Sequence, residues 1–301
     1  MKPPPLMFRL HADETLFRNV AAGLSAEHGG LEHRRFPDGE SYVRVVSECA
    51  GRDVVILCGL DHPDNKLMSL IFAAATMTEL GAERLTLVAP YLPYLRQDRA
   101  FQRGESVSAR HFGALVARYF DALVTVDPHL HRIHDLAGIC PITCRVVPAA
   151  PAIAAWIKAR VSRPVIVGPD AESGQWVAAV AELAGAPWVV GEKVRRGDRD
   201  VTVSLTDTQA VAGRTPVLID DIISTGRTMA AVVELLAGAG KAPPVCVGVH
   251  ALFDDATLAL LQRAGADTVV TCNTIAHDSN AIDLAASIVG GVVASRSRKA
   301  L

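Results

Sequence analysis

Two adjacent carboxylates shortly precede a small polar turn in the segment VLIDDIISTGRT, in the second half of the chain. Asp220 and Asp221 can accept hydrogen bonds from two vicinal sugar hydroxyls, or they can hold a metal ion. Because the turn precedes a predicted helix, its backbone N–H groups and hydroxyls can bind a phosphate at the positive end of the helix dipole. A sugar phosphate would use both parts of the segment. The residues of the turn are Ser224, Thr225, Gly226, Arg227 and Thr228.

The same segment also has a simpler, structural interpretation. Thr225 or Thr228 could do no more than cap the helix, with the two aspartates left in solvent. For a lone Ser-Thr-Gly turn this interpretation would be preferred, so the sugar-phosphate site depends on the whole segment.

A second charged cluster follows a predicted strand in the first half of the chain, and it consists of Arg96, Gln97, Asp98 and Arg99. The planar donor fork of arginine suits phosphate oxygens, which makes the cluster a candidate for holding a nucleotide. Taken alone, it could be a surface ion-pair patch. Its place after a strand favours the ligand site, since ligands of parallel sheets bind beyond the carboxyl ends of the strands.

Three histidines lie close together in VTVDPHLHRIHD, at positions 129, 131 and 134. Neutral imidazoles in that number would favour zinc, and a zinc hydrolase is therefore one alternative. The carboxylates and the phosphate turn do not serve such an enzyme, and a phosphate ligand would favour Mg²⁺, which prefers oxygen ligands. His131 and His134 can equally lie on a helical turn or at the surface. Asp170, in VGPDAESG, also follows a predicted strand, where it can bind a ligand or cap a helix.

Cysteine spacing gives no sign of a disulfide framework. Six cysteines are scattered along the chain, and only Cys140 and Cys144 are close to each other. We expect reduced thiols. A zinc site built on the close pair would lack further thiol or imidazole ligands at suitable spacing.

Composition limits the partners to be expected. The chain has 301 residues, of which 50% are hydrophobic, and this favours two domains over one. Lys plus Arg number 30 against 32 Asp plus Glu, so no overall positive field indicates nucleic acid. The uncharged stretch from Leu67 to Thr78 is too short for a membrane helix, and the first residues lack the long apolar region of a secretory signal. We expect a cytoplasmic protein, with neither nucleic acid nor membrane as a partner.

Short β-branched runs alternate with alanine-rich stretches of helical length, which predicts parallel sheets. The same order of strands and helices occurs in both halves of the chain, which suggests two similar α/β halves. Prolines interrupt regular structure between Arg145 and Pro151, and this segment is the predicted boundary. The predicted strands are Asp53 to Leu57, Leu85 to Val88, Ala122 to Val126, Val165 to Val167, Val217 to Ile219 and Val245 to Val249. The predicted helices are Lys66 to Leu80, Ala109 to Tyr119, Gln175 to Ala184 and Met229 to Ala239.

Several motifs together resemble one enzyme family. VLIDDIISTGRT resembles the phosphoribosyl-diphosphate loop that type I phosphoribosyltransferases share with ribose-phosphate diphosphokinases. RRFPDGESYVRV and PYLPYLRQDRAFQRGESVSAR resemble the ATP-site segments of the diphosphokinases, and VTVDPHLHR resembles their metal-histidine segment. A phosphoribosyltransferase has one such domain and no reason to carry these additional segments. The resemblance extends over about residues 34 to 285.

The resemblance implies a fold of two similar parallel-sheet α/β domains of the type I phosphoribosyltransferase-like fold. Residues 1–147 would form the N-terminal domain with the ATP-site segments. Residues 148–285 would form the C-terminal domain with the ribose 5-phosphate loop. Residues 286–301 would pack on the N-terminal domain.

The resemblance also implies residue roles. Phe36, Asp38 and Glu40 would contact adenine, and the cluster from Arg96 to Arg99 would hold the nucleotide and its phosphates. His129 would bind the metal ion, and Asp170 would contact the metal ion or the ribose phosphate. Lys193 and Arg195, in GEKVRRGDRD, match two cations of the family's mobile catalytic loop; a solvated basic turn is the alternative. Arg196 and Arg199 are assigned no role.

The implied reaction is the transfer of the diphosphate of Mg²⁺-ATP to the C1 hydroxyl of ribose 5-phosphate. A homo-oligomer would share each adenine site between subunits. Ser224 and Arg227 stand where the best-known members have an acid and a glycine, which weakens any inference about regulation. Two alternatives stay open: a phosphoribosyltransferase, and a non-catalytic regulatory homologue of the synthase.

Overall fold

The computed structural model describes residues 3–130, 135–170, 173–195, 201–205, 210–238 and 242–296. Contacts divide the chain into two compact units. The first runs up to Pro148 and also includes Thr274–Ala276 and the chain from Leu284. The second comprises Ala149–Asn273 and His277–Asp283.

The first unit is built on a six-stranded sheet in which all neighbouring strands are parallel. Its elements up to residue 148 are β1 (Leu6–Leu10), α1 (Glu14–Gly23), β2 (Glu27–His28), β3 (Leu31–Arg35), β4 (Ser41–Val45), β5 (Asp53–Cys58), α2 (Leu67–Glu79), β6 (Arg84–Val88), α3 (Ser108–Tyr119), β7 (Ala122–Val126) and β8 (Thr143–Val147). The strand order is β2-β1-β5-β6-β7-β8, and β3 and β4 form a separate antiparallel hairpin.

The second unit has a seven-stranded sheet with one antiparallel edge pair. Its elements are α4 (Ala150–Arg160), β9 (Pro164–Gly168), α5 (Gly174–Ala184), β10 (Trp188–Arg195), β11 (Val201–Leu205), β12 (Thr215–Ile223), α6 (Arg227–Gly238), β13 (Val245–Ala251), α7 (Asp255–Ala264), β14 (Thr268–Cys272) and β15 (Asn280–Ile282). The order is β11-β10-β9-β12-β13-β14-β15, with β10 and β11 antiparallel.

The last helix, α8 (Ala285–Arg296), belongs to the first unit and packs on β7 and β8. Its Gly291 leaves no room for a side chain, since an added Cβ would lie 2.6 Å from Val147 and 3.0 Å from Val124. Arg84 in β6 donates a hydrogen bond to the carbonyl of Ser295 at 2.6 Å. The helix therefore completes one face of the first sheet.

Sequence chemistry explains the central strands. The residues of β7 and β13 are buried throughout, as expected for parallel strands covered on both faces. Helix α7 starts where the side chain of Asp254 accepts a hydrogen bond from the N–H of Thr257 at 2.9 Å, and it ends at Gly265. Local signals thus fix both ends of α7, although this helix is not among those predicted from the sequence.

The expectation of two parallel-sheet α/β units is confirmed. The ten elements predicted from the sequence are all present, mostly within two residues of their expected ends. The main error concerns β12, which was expected to end at Ile219 and continues to Ile223. It does so because its partner β13 continues as well, pairing Ile222 with His250 and Ile223 with Ala251. No helix in the described part of the chain is long and apolar enough to cross a membrane.

Candidate active site

The acidic and hydroxyl residues predicted to bind a sugar phosphate lie at the carboxyl end of β12, near the middle of the second sheet. Asp220 and Asp221 belong to the strand itself, and α6 begins at Arg227, two residues earlier than predicted. Among the turn residues, Thr225 and Arg227 are exposed, whereas Ser224 and Thr228 are half-buried. The carboxylates and the turn are thus brought to one edge of one sheet.

Gly226 fixes the shape of this turn. Its φ is +65°, in the left-handed region that favours glycine. A Cβ at this position would lie 2.7 Å from Cγ2 of Thr257 in α7. The turn can approach α7 only because residue 226 has no side chain. Thr257 is therefore a supporting residue that the sequence pattern did not reveal.

Negative charge is concentrated around Asp220. Burial, followed by the charges of Asp221 and Asp170, raises the pKa of Asp220 to about 8. The N–H of Asp221 donates to Oδ1 of Asp220 at 3.0 Å, which opposes that shift only in part. A cluster of carboxylates suits hydroxyl donors or a hard cation.

Asp170 follows β9, the strand that pairs with β12, and its charge therefore acts on Asp220. The helix-capping alternative for Asp170 is not observed, since the residue at the N-cap of α5 is Ser173. Ser173 donates from its Oγ to the backbone carbonyl of Asp170 at 2.6 Å, which holds the loop after β9 in place.

Within the described residues, no three His, Cys, Asp or Glu side chains form a ready-made metal cluster. Mg²⁺ does not need such a cluster, because it is usually held by one or two carboxylates together with waters and substrate phosphates. The carboxylates of Asp170, Asp220 and Asp221 supply oxygen donors of that kind.

The candidate nucleotide cluster lies in the loop that follows β6 in the first unit. Arg96 and Arg99 are exposed, Gln97 is half-buried and Asp98 is buried. Neither arginine forms an ion pair with another described residue, and the guanidinium of Arg99 lies 4.7 Å from the ring centroid of Phe101. Both arginines can therefore reach a ligand.

Tyr94 anchors the start of this loop. Its hydroxyl donates a hydrogen bond to Asp64, and its carbonyl accepts one from Oγ of Ser108 at 3.0 Å. Burial and the contact with Asp64 raise the pKa of the Tyr94 phenol to about 12. The carbonyl of Gln97 accepts a hydrogen bond from the N–H of Ala109 at 3.3 Å, so the cluster is also tied to α3.

The predicted adenine contacts occupy the turn between β3 and β4. The N–H of Phe36 donates to the carbonyl of Glu40 at 2.8 Å, and the N–H of Glu40 donates to Oδ1 of Asp38 at 3.1 Å. The guanidinium of Arg34 lies 4.5 Å from the ring centroid of Phe36 and 4.4 Å from that of Tyr42. Phe36 is 38% exposed, which leaves an aromatic surface at the tip of the hairpin.

A basic cavity of about 290 Å³ adjoins this hairpin. It is lined in part by His11, His33 and Arg35. Nε2 of His11 lies 2.8 Å from Oγ of Ser69. Burial and then the charges of His33, Lys66 and Arg35 lower the pKa of His11 to about 4. Positive potential thus surrounds the base of the hairpin.

Left-handed residues other than glycine recur at the carboxyl edge of the first sheet. His11, His62, Tyr94 and Asp127, with φ values of +54°, +49°, +64° and +30°, follow β1, β5, β6 and β7 respectively. Such conformations are uncommon and concentrate at functional sites. This edge also carries the nucleotide cluster and His129.

The remaining predicted residues are placed only in part. His129 follows β7 in the first unit, half-buried, whereas Asp170 belongs to the second unit. Lys193 and Arg195 were expected on a loop, but their backbone lies in β10, paired with Val203 and Val201 of β11. Their side chains, together with His131, His134, Arg196 and Arg199, lie outside the described residues.

Comparison with known proteins covers both units. The family model of the N-terminal domain of ribose phosphate pyrophosphokinase matches residues 6–120, and that of the phosphoribosyl transferase domain matches residues 147–286. A ribose-phosphate pyrophosphokinase of Sulfolobus acidocaldarius is 31% identical over 260 residues, covering 84% of this chain and 87% of the relative. One from Methanobrevibacter smithii is 31% identical over 291 residues, covering 92% and 96%.

A solved structure gives the same result. The phosphoribosylpyrophosphate synthetase of Mycobacterium smegmatis matches with a TM-score of 0.84 and 25% identity, over 96% of this chain and 98% of that one. Pyrophosphokinase and diphosphokinase are two names for one activity, so the resemblance stated from the sequence is confirmed. The match to the N-terminal domain model also separates the chain from phosphoribosyltransferases with a single such domain. The chain belongs to the ribose-phosphate pyrophosphokinase family.

Proposed function

We propose that the chain transfers the diphosphate of ATP to the C1 hydroxyl of ribose 5-phosphate, giving phosphoribosyl diphosphate and AMP. One observation carries this proposal. The carboxylate pair and the glycine turn stand at the carboxyl end of β12, in a chain whose first unit matches the N-terminal domain of the family. The relatives in the comparison are named for this activity, and the match to this chain covers most of the length of each.

Ribose 5-phosphate would bind at the end of β12. Asp220 and Asp221 would accept hydrogen bonds from the two vicinal ring hydroxyls. The phosphate would lie against the backbone N–H groups and hydroxyls of the turn, from Ser224 to Thr228, at the start of α6. The left-handed Gly226 supports this arrangement because it shapes the turn.

As the resemblance implies, Asp170 in the second unit and His129 in the first would each serve as a Mg²⁺ ligand. The carboxylates near Asp220 would add to the negative potential of the second unit. The raised pKa of Asp220 supports the proposal, because the charges of Asp221 and Asp170 contribute to it after burial, and a bound cation would offset them. When bound, the ion would neutralise charge on the phosphate oxygens of ATP.

ATP would be held by the loop after β6, where Arg96 and Arg99 would contact the phosphates and Gln97 and Asp98 would position the nucleotide. Adenine would pack on Phe36, with Asp38 and Glu40 accepting from its exocyclic amine. The tip of the β3–β4 hairpin is exposed and lies outside the sheet of the first unit. We propose a homo-oligomer in which this tip completes the adenine site of a second subunit.

The C1 oxygen would attack the β-phosphorus of ATP in line. As charge grows on the phosphoryl oxygens and on the departing AMP, Lys193 and Arg195 would stabilise it. A loose phosphoryl transition state needs positioning and charge neutralisation more than proton removal, so no side chain is assigned as a base.

The deciding experiment incubates the purified protein with Mg²⁺, ATP and ribose 5-phosphate. We expect equal amounts of AMP and phosphoribosyl diphosphate, with label from the γ-phosphate of ATP carried into the sugar product. Formation of ADP instead of AMP, or no nucleotide turnover at any phosphate concentration, would exclude the proposed reaction. An Asp220→Asn/Asp221→Asn variant serves as the inactive control.

A further inference from the structure

Cys140 and Cys144 bring two thiols together at the start of β8, the edge strand of the first sheet. The backbone turns tightly after Cys140, whose carbonyl accepts a hydrogen bond from the N–H of Ile142 at 2.8 Å. The thiol of Cys144 donates a hydrogen bond to the same carbonyl oxygen at 3.5 Å, which places the two cysteines side by side. Two cysteines held side by side in this way can form a disulfide without a large backbone movement.

The two thiols differ in accessibility and acidity. Cys140 is only 1% exposed, whereas Cys144 is half-buried. The hydrogen bond with Cys144, together with burial, raises the pKa of Cys140. The hydrogen bond from Cys140 lowers the pKa of Cys144, in spite of burial and the charge of Asp135. Since the thiolate is the reactive form, Cys144 is the nucleophile and Cys140 is placed to react second.

The other cysteines have different surroundings. Cys49, Cys58, Cys246 and Cys272 are all buried. Burial raises the pKa of the Cys49 and Cys58 thiols, and it raises that of Cys246 to about 12. A buried thiol with a raised pKa is inert, so the reactivity of the chain is expected to concentrate at the close pair.

We propose that Cys140 and Cys144 are a redox-active dithiol that closes to an intramolecular disulfide when it meets a low-molecular-weight disulfide, RSSR. The thiolate of Cys144 attacks one sulfur of RSSR, forms a mixed disulfide and releases RS⁻. Cys140 then loses its proton to solvent, attacks Sγ of Cys144, and releases the second RS⁻. The two cysteines give up two electrons and two protons in total, and RSSR is reduced to two RSH.

A metal site is the rival explanation for two adjacent thiols. Structural zinc requires four ligands, and the described residues contain no group of three potential ligands around this pair. Elemental analysis of the protein, included in the test below, separates a metal site from a disulfide.

The test uses the full chain, reduced with dithiothreitol, freed of reductant and then exposed to glutathione disulfide. Remaining thiols are blocked with iodoacetamide under denaturing conditions, and the peptides are identified by mass spectrometry. In the wild type, the peptide that spans both residues should be two hydrogens lighter and unalkylated, and dithiothreitol should reverse the change. In Cys140→Ser, glutathione should stay attached to Cys144, at a rate roughly tenfold or more above that at Cys49.

Two controls accompany these variants. Cys144→Ser should leave Cys140 unmodified, because the nucleophile is gone. Cys49→Ser, which removes a buried thiol elsewhere in the same unit, should form the disulfide as the wild type does.

Three results would overturn the proposal. Wild-type protein could keep both thiols alkylatable, it could stop at a glutathione adduct on Cys144, or it could resist oxidation while elemental analysis finds one zinc per chain. The wild-type measurement alone decides the matter if a serine variant fails to fold.

Discussion

The hydroxyl of Tyr94 donates a hydrogen bond to the carboxylate of Asp64, and this contact ties the loop after β6 to the turn after β5. Within that loop, Tyr94 lies two residues before Arg96. Because Tyr94 also has a left-handed backbone, the contact holds the loop in a conformation that it would not adopt freely.

Tyr94→Phe should therefore weaken ATP binding without unfolding the protein. Loss of one hydrogen bond to a charged group predicts a KM for ATP that is raised roughly tenfold, with a smaller change in the KM for ribose 5-phosphate. Steady-state kinetics would measure both. Tyr119→Phe is the matched control, because its hydroxyl has no hydrogen-bond partner among the described residues. Equal KM values for ATP in wild type and Tyr94→Phe would contradict the positioning role.

Gly226→Ala should impair ribose 5-phosphate binding for two reasons, the left-handed backbone and the clash with Thr257. Backbone strain alone costs about 1 kcal/mol. A considerably larger loss of binding free energy for ribose 5-phosphate would therefore come from displacement of the turn. Isothermal titration with ribose 5-phosphate would measure it. Gly185→Ala is a matched control, since its φ is +67° but no atom would lie within 4 Å of the added Cβ.

A second substitution separates the two causes. Thr257→Ser removes the methyl group that an alanine at position 226 would meet. Gly226→Ala/Thr257→Ser should therefore bind ribose 5-phosphate more tightly than Gly226→Ala. If the double variant is no better, the clash does not explain the loss.

The raised pKa of Asp220 predicts a pH dependence of stability. Between the ordinary carboxyl pKa and about 8, the folded chain keeps a proton at Asp220 that the unfolded chain has lost. Stability without ligands should therefore fall as pH rises through this window, by roughly 1 kcal/mol per pH unit at most. Urea unfolding at pH 6 and pH 9 would show the fall in wild type and a weaker one in Asp220→Asn. Identical slopes in both proteins would refute the assignment.

Lys193→Ala should lower kcat roughly 10²-fold or more, by analogy with loss of one donor that stabilises transition-state charge. Ribose 5-phosphate affinity should stay nearly unchanged, as measured by titration. Lys158→Ala, near the end of α4, is the control for loss of an exposed lysine, and it should keep full activity. An unchanged kcat in Lys193→Ala would remove that residue from the mechanism.

Mixing two inactive variants would test the shared adenine site. Phe36→Ala should be defective in the hairpin tip and Lys193→Ala in charge stabilisation. If one subunit lends its hairpin to another, refolding the two together should restore roughly a quarter of wild-type activity, because some mixed sites contain both intact parts. Refolding each alone should restore none. Absence of activity in the mixture would count against sharing.

Local sequence signals predicted much of this molecule. Apolar β-branched runs located the central strands, and the acidic-hydroxyl-glycine pattern located the turn after β12. The anchor between Tyr94 and Asp64 could not be predicted, because the two residues are 30 positions apart and meet only in the folded chain. Thr257 beneath Gly226 was missed for the same reason.

Two charged strands escaped prediction for a different reason. The strands β3 and β10 carry several charged residues, which hide the alternation on which strand prediction relies. Lys193 and Arg195 were consequently assigned to a loop, whereas their backbone is paired with β11. Strands that carry several charges are therefore difficult to recognise from sequence.

The close packing of α8 on β7 and β8 has a consequence for biosynthesis. The ribosome makes the whole second unit before it makes the helix that covers the first sheet. The sheet face around Val124 and Val147 therefore stays exposed while more than a hundred further residues are synthesised. This takes roughly 10 s at common translation rates. During this interval the nascent first unit offers chaperones an apolar surface that the finished protein conceals.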